Sequence, residues 1–152
     1  MMNIEQLRLE LEYDEGCVNS IYLDHLGLCT FGIGHLVTED DPEYGMEVGS
    51  EVSEERVAEV FESDIQVTLN ECRLLYSDWD DLPEEVQLIC ANLMFNMGRP
   101  RLSGFKKFNA AIANRSWDEA ADELVDSRYY RQVTNRADRL VNRMRNIDKL
   151  YG

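Results

Sequence analysis

The stretch DEGCVNSIYLDHLGLCTFGIGHL, residues 14–36, decides the fold. Ile21–Tyr22 and Leu28–Phe31 are rich in β-branched and aromatic side chains, and Asp24–Gly27 between them supplies turn chemistry, so a β-hairpin is predicted. The Gly32-Ile33-Gly34 run that follows reads as an irregular crossing. Upstream, Ile4, Leu7 and Leu11 recur at helical spacing and mark a short amphipathic helix that Gly16 stops.

Downstream, residues 37–52 have no hydrophobic period, only acids, Pro42 and two glycines, and are expected to form a loop with at most a short strand or turn. Ser53 is a good N-cap, and Glu54 and Glu55 favour the positive end of a helix dipole. Val57, Val60, Phe61, Val67 and Cys72 then continue a long helix expected to link two lobes. Pro83 opens the next helix, whose buried face is Val86, Ile89, Leu93 and Met97, and Gly98 closes it. Everything after Gly104 reads as short helices, one begun by the capping box Ser116–Glu119 and another near Thr134 or Asn135. The expected fold class is α+β, mostly α: a single domain with a small hairpin-bearing N-terminal lobe over about 14–60, and a helical lobe over about 61–152 that takes in residues 1–13.

The chain has 152 residues and a formal charge of −15, with an apolar share that suits a folded core and argues against disorder. No apolar run reaches the roughly 18–20 residues of a membrane span, so no stable membrane insertion is expected. The N-terminus lacks the basic start and apolar middle of a signal peptide, which suggests a product made in a cytoplasm. Nucleic acid is disfavoured as a partner because its phosphates repel the net charge. The charge is uneven: residues 1–98 carry three basic and 23 acidic side chains, and residues 99–152 carry twelve basic and seven acidic. Either this is a solvated surface, or the C-terminal half meets something anionic. Cys17, Cys29, Cys72 and Cys90 show no zinc-ligand spacing and are expected to be reduced, so no metal site is expected.

Glu15, Asp24 and Thr30 are the residues that could carry chemistry. Glu15 falls at a helix C-terminus beside Asp14, where both neighbours disfavour a charged carboxylate, as a general acid requires. Asp24, in the hairpin turn, can stay solvated and ionised. Two carboxyl groups in unlike surroundings are the layout of glycoside hydrolysis, and a threonine hydroxyl can hold a water.

DEG-(4)-IYLDHLGLCTFGIGHL resembles the N-terminal signature of the phage-type lysozymes, the T-even bacteriophage lysozyme family (glycoside hydrolase family twenty-four). Glu15 is followed nine positions later by Asp24 and six further on by Thr30, both family intervals. Phe95–Gly98, Ser103–Phe105, Trp117–Ala121, Ser127–Tyr130 and Asn135–Arg139 resemble the family's C-terminal blocks in order, so the likeness covers almost the whole chain. The segment between His35 and Phe61 is shorter than in the T-even enzyme and more acidic.

The resemblance implies a lysozyme-like two-lobe fold in which Glu15 is the proton donor. Asp24 is then the second carboxylate, base for the attacking water or nucleophile, and Thr30 positions that water in an inverting reaction. Leu36 and Phe95 match positions that line the saccharide cleft, and Phe105 matches a cleft aromatic through its SGF block. Phe108 and Glu123 fall on two further cleft positions where this sequence departs from the T-even residues. His35 is expected to pair with Asp64 as a structural element. Arg136 is expected to contact the catalytic glutamate, with plain surface charge as its alternative. Phe95 has a core role as its alternative, and Trp117 reads as an interior anchor.

The implied activity is that of a muramidase cutting the β-1,4 bond between N-acetylmuramic acid and N-acetylglucosamine. It would act as a monomer on peptidoglycan glycan strands, without metal or cofactor. The implied setting is an endolysin held in a host bacterial cytoplasm until a holin admits it to the wall. A catalytically weak wall-binding protein of the same fold, and a hydrolase of a related polymer such as chitin, are the alternatives.

Overall fold

Gly16 turns to a φ of +70° and donates its N–H to the Glu12 carbonyl, which ends helix α1 (Ile4–Glu15) where the sequence places the stop. In this computed structural model, which describes residues 2–151, the chain then enters strand β1 (Val18–Leu23) and returns as β2 (Cys29–Gly32). The Gly-Ile-Gly run is not an irregular crossing. It is a tight turn into a third strand, β3 (His35–Leu36), which pairs with β2 through Thr30↔Leu36 and Phe31↔His35. Two left-handed glycines, Gly32 and Gly34, make so short a reversal possible, and two residues are too few to give β3 a readable period.

The sheet is an antiparallel meander in the order β1-β2-β3, with Tyr22 opposite Thr30 and Leu23 opposite Cys29. Residues 37–52 follow as turns, and their end is tied to the outer edge of β1. Gly49 donates to the Ile21 carbonyl, Ile21 to Ser50, and Val52 to Asn19. That pairing covers backbone groups an open sheet edge would expose.

Ser53 accepts a hydrogen bond from the Arg56 N–H, and helix α2 (Glu54–Leu75) runs for 22 residues from that cap. Its apolar stripe of Val57, Val60, Phe61 and Ile65 is buried, as are Ile21, Phe31 and Ile33 of the sheet region. Each such side chain contributes roughly 1.5–3 kcal/mol on burial.

The described residues divide into two compact units, and the division falls within α2. One is Glu5–Val67. The other begins at Thr68 and includes the few residues before Glu5. In the second unit a short 3₁₀ turn (Trp79–Asp81) leads to α3 (Glu84–Met97), buried without interruption from Val86 to Met94. The remaining helices are α4 (Arg99–Ser103), α5 (Lys106–Ala113), α6 (Trp117–Val125), α7 (Arg128–Gln132), α8 (Thr134–Arg145) and α9 (Ile147–Tyr151). Helix α6 packs on α5 and α8, and α8 also packs on α3.

Ser116 sits at the N-cap of α6, but its side chain makes no capping bond, so the expected capping box does not form. Its ψ of 77° departs from the extended backbone that aims a serine hydroxyl back at the helix. Ser127, at ψ 154°, has that geometry and accepts from the Tyr130 N–H. Trp117 is buried at the start of α6, and all four cysteines are free thiols.

Candidate active site

The unit Glu5–Val67 contains Glu15, Asp24, Thr30, His35, Leu36 and Asp64. Glu15 is the last residue of α1 and is half-buried, its carboxyl lying over Gly34. A Cβ added at Gly34 would stand 2.8 Å from Glu15 Oε1, so only glycine leaves that carboxyl its place.

The hairpin turn orients Asp24 by a second device. Asp24 Oδ1 accepts the N–H groups of Leu26 (2.8 Å) and Leu28 (2.9 Å), while the Asp24 N–H donates to the Leu28 carbonyl. Asparagine and aspartate favour turns because they can bond the backbone just ahead of them. Among the described residues Oδ2 accepts no hydrogen bond and is left for chemistry.

Thr30 is buried, and its hydroxyl donates to the Leu28 carbonyl at 3.0 Å. With its proton committed, Thr30 Oγ1 faces any further partner as an acceptor. Asp24 and Thr30 are therefore both fixed by the backbone of one residue, Leu28, through its N–H and its carbonyl.

Tyr22 joins this group, although nothing in the motif singled it out. It pairs with Thr30 across the strands, and its phenol pKa is raised by burial and then by the charges of Glu15 and Asp24. The signal was present in the strand alternation, which places Tyr22 and Asp24, two residues apart, on one face.

His35 meets Asp64 as the sequence suggested, Nδ1 to Oδ2 at 2.6 Å, and also Asp41, Nε2 to Oδ2 at 2.8 Å. Burial lowers the His35 pKa, but the hydrogen bonds and charges of Asp64 and Asp41 outweigh it, and the net shift is upward. Asp41 is held below the usual carboxylate range. Its burial acts the other way and is outweighed by the Thr38 N–H, His35 and Arg56. Arg56 bonds Glu43 and Asp41 and also reaches Glu59. Asp41, Glu43 and Arg56 thus pin the acidic segment, a function invisible while those acids read only as charge.

Leu36 is exposed on β3. In the helical unit, Phe95 lies near the end of α3 and Phe105 caps α5, both half-buried. Arg136, in the first turn of α8, is 8% exposed, and its Nε donates to Asn92 Oδ1 at 2.9 Å, which sets aside the surface-charge reading. No group of three or more metal-ligating side chains occurs among the described residues. No described helix is long and apolar enough to cross a membrane.

The charge also divides by unit. Glu5–Val67 holds 17 acidic against two basic side chains, and thus the whole excess of −15. The helical unit is balanced. Two of its basic side chains, Arg143 and Arg145, are bonded to Glu85 and Asp122.

A family model described as phage lysozyme matches residues 12–146. Probable T4-type lysozyme 2 of Dictyostelium discoideum is 30% identical over 158 residues, covering 91% of this chain and 93% of that protein. Probable T4-type lysozyme 1 of the same organism is 26% identical with the same coverage. The pre-baseplate central spike protein Gp5 of Enterobacteria phage T4 is 24% identical over 86% of this chain, which corresponds to 26% of Gp5.

Proposed function

We propose, from the premise that this chain belongs to the phage lysozyme family and is a lysozyme-type glycosidase, that it is a muramidase cutting the β-1,4 bond after N-acetylmuramic acid in peptidoglycan. The observation that carries this reading is the pairing of two differently held carboxyl groups in one unit. Glu15 is shielded over Gly34, and Asp24 is anchored by two N–H groups with Oδ2 left open.

In this reading Glu15 protonates the leaving glycosidic oxygen. A water donates one hydrogen bond to Thr30 Oγ1 and gives its other proton to Asp24 Oδ2 as it attacks. Direct attack by Asp24 is the retaining alternative, which the anomer of the first product distinguishes. Leu36 in this unit, and Phe95 and Phe105 in the helical unit, are the residues that offer apolar surface to sugar rings. The enzyme acts as a monomer and needs neither metal nor cofactor.

The phage setting, with the protein held in a host bacterial cytoplasm until a holin opens the membrane, extends the same reading. The Dictyostelium relatives favour a second setting outside phage biology for the same chemistry. Turbidity clearing of outer-membrane-permeabilised cells, with mass spectrometry of the fragments, tests the activity. Fragments with reducing N-acetylmuramic acid ends support it, whereas intact wall, or cleavage of chitin alone, refutes it. Expression in bacterial cytoplasm with and without a holin tests the setting, since only the holin-bearing cells should lyse.

A further inference from the structure

Tyr22, Thr30 and Leu36 stand directly opposite one another on β1, β2 and β3, in a single row across the sheet. Paired residues point to the same face, so the row presents a phenol, a hydroxyl and an apolar side chain side by side. Asp24, two residues beyond Tyr22, shares that face. Glu15 acts on the phenol from α1 through its charge, as Asp24 does from the hairpin.

Tyr22 is half-buried, and its hydroxyl makes no hydrogen bond among the described residues. A tyrosine hydroxyl drawn out of bulk water normally finds a partner. Burial, and then the charges of Glu15 and Asp24, raise the phenol pKa, so the group keeps its proton and can donate. The other donors of this face are spent. Thr30 Oγ1 gives its proton to the Leu28 carbonyl, and the Leu26 and Leu28 N–H groups go to Asp24 Oδ1. Ionised Asp24 is an acceptor only, and Glu15 gives its proton to the leaving oxygen. A water whose two protons point at Thr30 Oγ1 and Asp24 Oδ2 can still pivot about the line joining those atoms. One of its lone pairs attacks, and the other needs a donor.

We propose that the Tyr22 hydroxyl donates a hydrogen bond to the attacking water and is its third anchor beside Thr30 and Asp24. The proposal rests on the glycosidase reading above, with Asp24 as the base. Three bonds stop the pivot and leave one lone pair of the water oxygen unused, aimed at the sugar. As that oxygen bonds to the anomeric carbon, the glycosidic C–O bond breaks. The water's proton passes to Asp24 Oδ2 and the proton of Glu15 to the leaving oxygen, while Tyr22 keeps its own. Holding the water in its attacking geometry raises the rate and adds nothing to sugar binding, so its loss appears in kcat.

Tyr22→Phe removes the hydroxyl and keeps the ring, so melting should be unchanged. On glycan strands its kcat should fall about tenfold with KM unchanged, the scale of one hydrogen bond. An unchanged kcat overturns the proposal, and so does a raised KM at unchanged kcat, which would make Tyr22 a sugar contact. Adding Tyr22→Phe to Thr30→Val should cost less than about twofold, because residues that hold one water are not additive. The full loss in both backgrounds overturns the shared water. High-resolution crystal structures of the wild type and of Tyr22→Phe decide the matter without catalysis. A water within hydrogen-bonding distance of Tyr22 Oη, Thr30 Oγ1 and Asp24 Oδ2 in the wild type, and lost from the variant, supports the proposal. No such water in the wild type, or the same ordered water in both, overturns it whether or not glycan is cut. Failure of the wild type to cut any glycan counts against the muramidase reading alone.

Discussion

His35 Nδ1 lies 2.6 Å from Asp64 Oδ2, joining β3 to α2 across 29 residues of chain. Its other ring nitrogen lies 2.8 Å from Asp41. Two carboxylates are acceptors only, so both ring nitrogens must donate, and the species that fits this geometry is the imidazolium. A neutral ring can serve only one of the two.

His35→Asn should therefore destabilise the protein most where the ring is charged. The His35 pKa is raised on folding, so its contribution is complete below the unfolded value of about 6.5 and is lost as pH climbs through the folded value. The Asp41 pKa is lowered, so its contribution is present above about 4 and is lost as pH falls through the folded value. Melting curves should show a loss of roughly 2 kcal/mol, or about 4–8 °C, between pH 4 and 6.5, shrinking toward pH 9. Activity at low temperature should be largely kept. A stable but inactive variant would place His35 in the mechanism instead.

Asp24→Asn retains the Oδ1 acceptor that the Leu26 and Leu28 N–H groups require, while removing the charge from the other side-chain atom. Melting should be unchanged and wall hydrolysis severely reduced. Glu15→Gln should likewise fold normally and lose about 10²–10⁴ in rate, the usual span of a general acid. Clearing at near wild-type rate by either variant would remove that residue from its assigned role.

Gly34→Ala introduces two faults, a left-handed φ of +64° and a Cβ 2.8 Å from Glu15 Oε1. Gly45→Ala provides the control, with a φ of +83° and nothing within 4 Å. Both should lose about 1–2 kcal/mol of stability from backbone strain. Only Gly34→Ala should lose more than tenfold in activity when assayed well below both melting temperatures. Equal activity in the two would mean that the Glu15 carboxyl tolerates displacement.

The excess of acid on Glu5–Val67 should repel an anionic wall at low salt, where its field is least screened. Activity should rise as salt is first added and then level off. Glu39, Asp40 and Glu47 are exposed and outside the Arg56 network, so their replacement by glutamine or asparagine should raise low-salt activity without loosening the segment. A monotonic fall with salt would reduce the charge to a solubility trait.

Local chemistry in the sequence specified the elements whose formation depends on neighbours in the chain. The stop at Gly16, the Asp24 turn, the Ser53 cap and the long apolar stripe of α2 are set within a few residues, and so are legible as patterns. The interval from Glu15 to Asp24 to Thr30 was legible for the same reason, because one helix end and one hairpin carry all three. Tertiary structure decided what depends on residues distant in the chain. It created β3, which is too short to have a period, and made Ser116 a cap in position only. It also recruited Asp41 and Arg56 to fix the acidic segment, and paired Arg143 with Glu85 and Arg145 with Asp122. A charge in a sequence has a sign but no partner. Which groups come within 3–4 Å, where hydrogen bonds and ion pairs form, is settled only when the chain closes on itself.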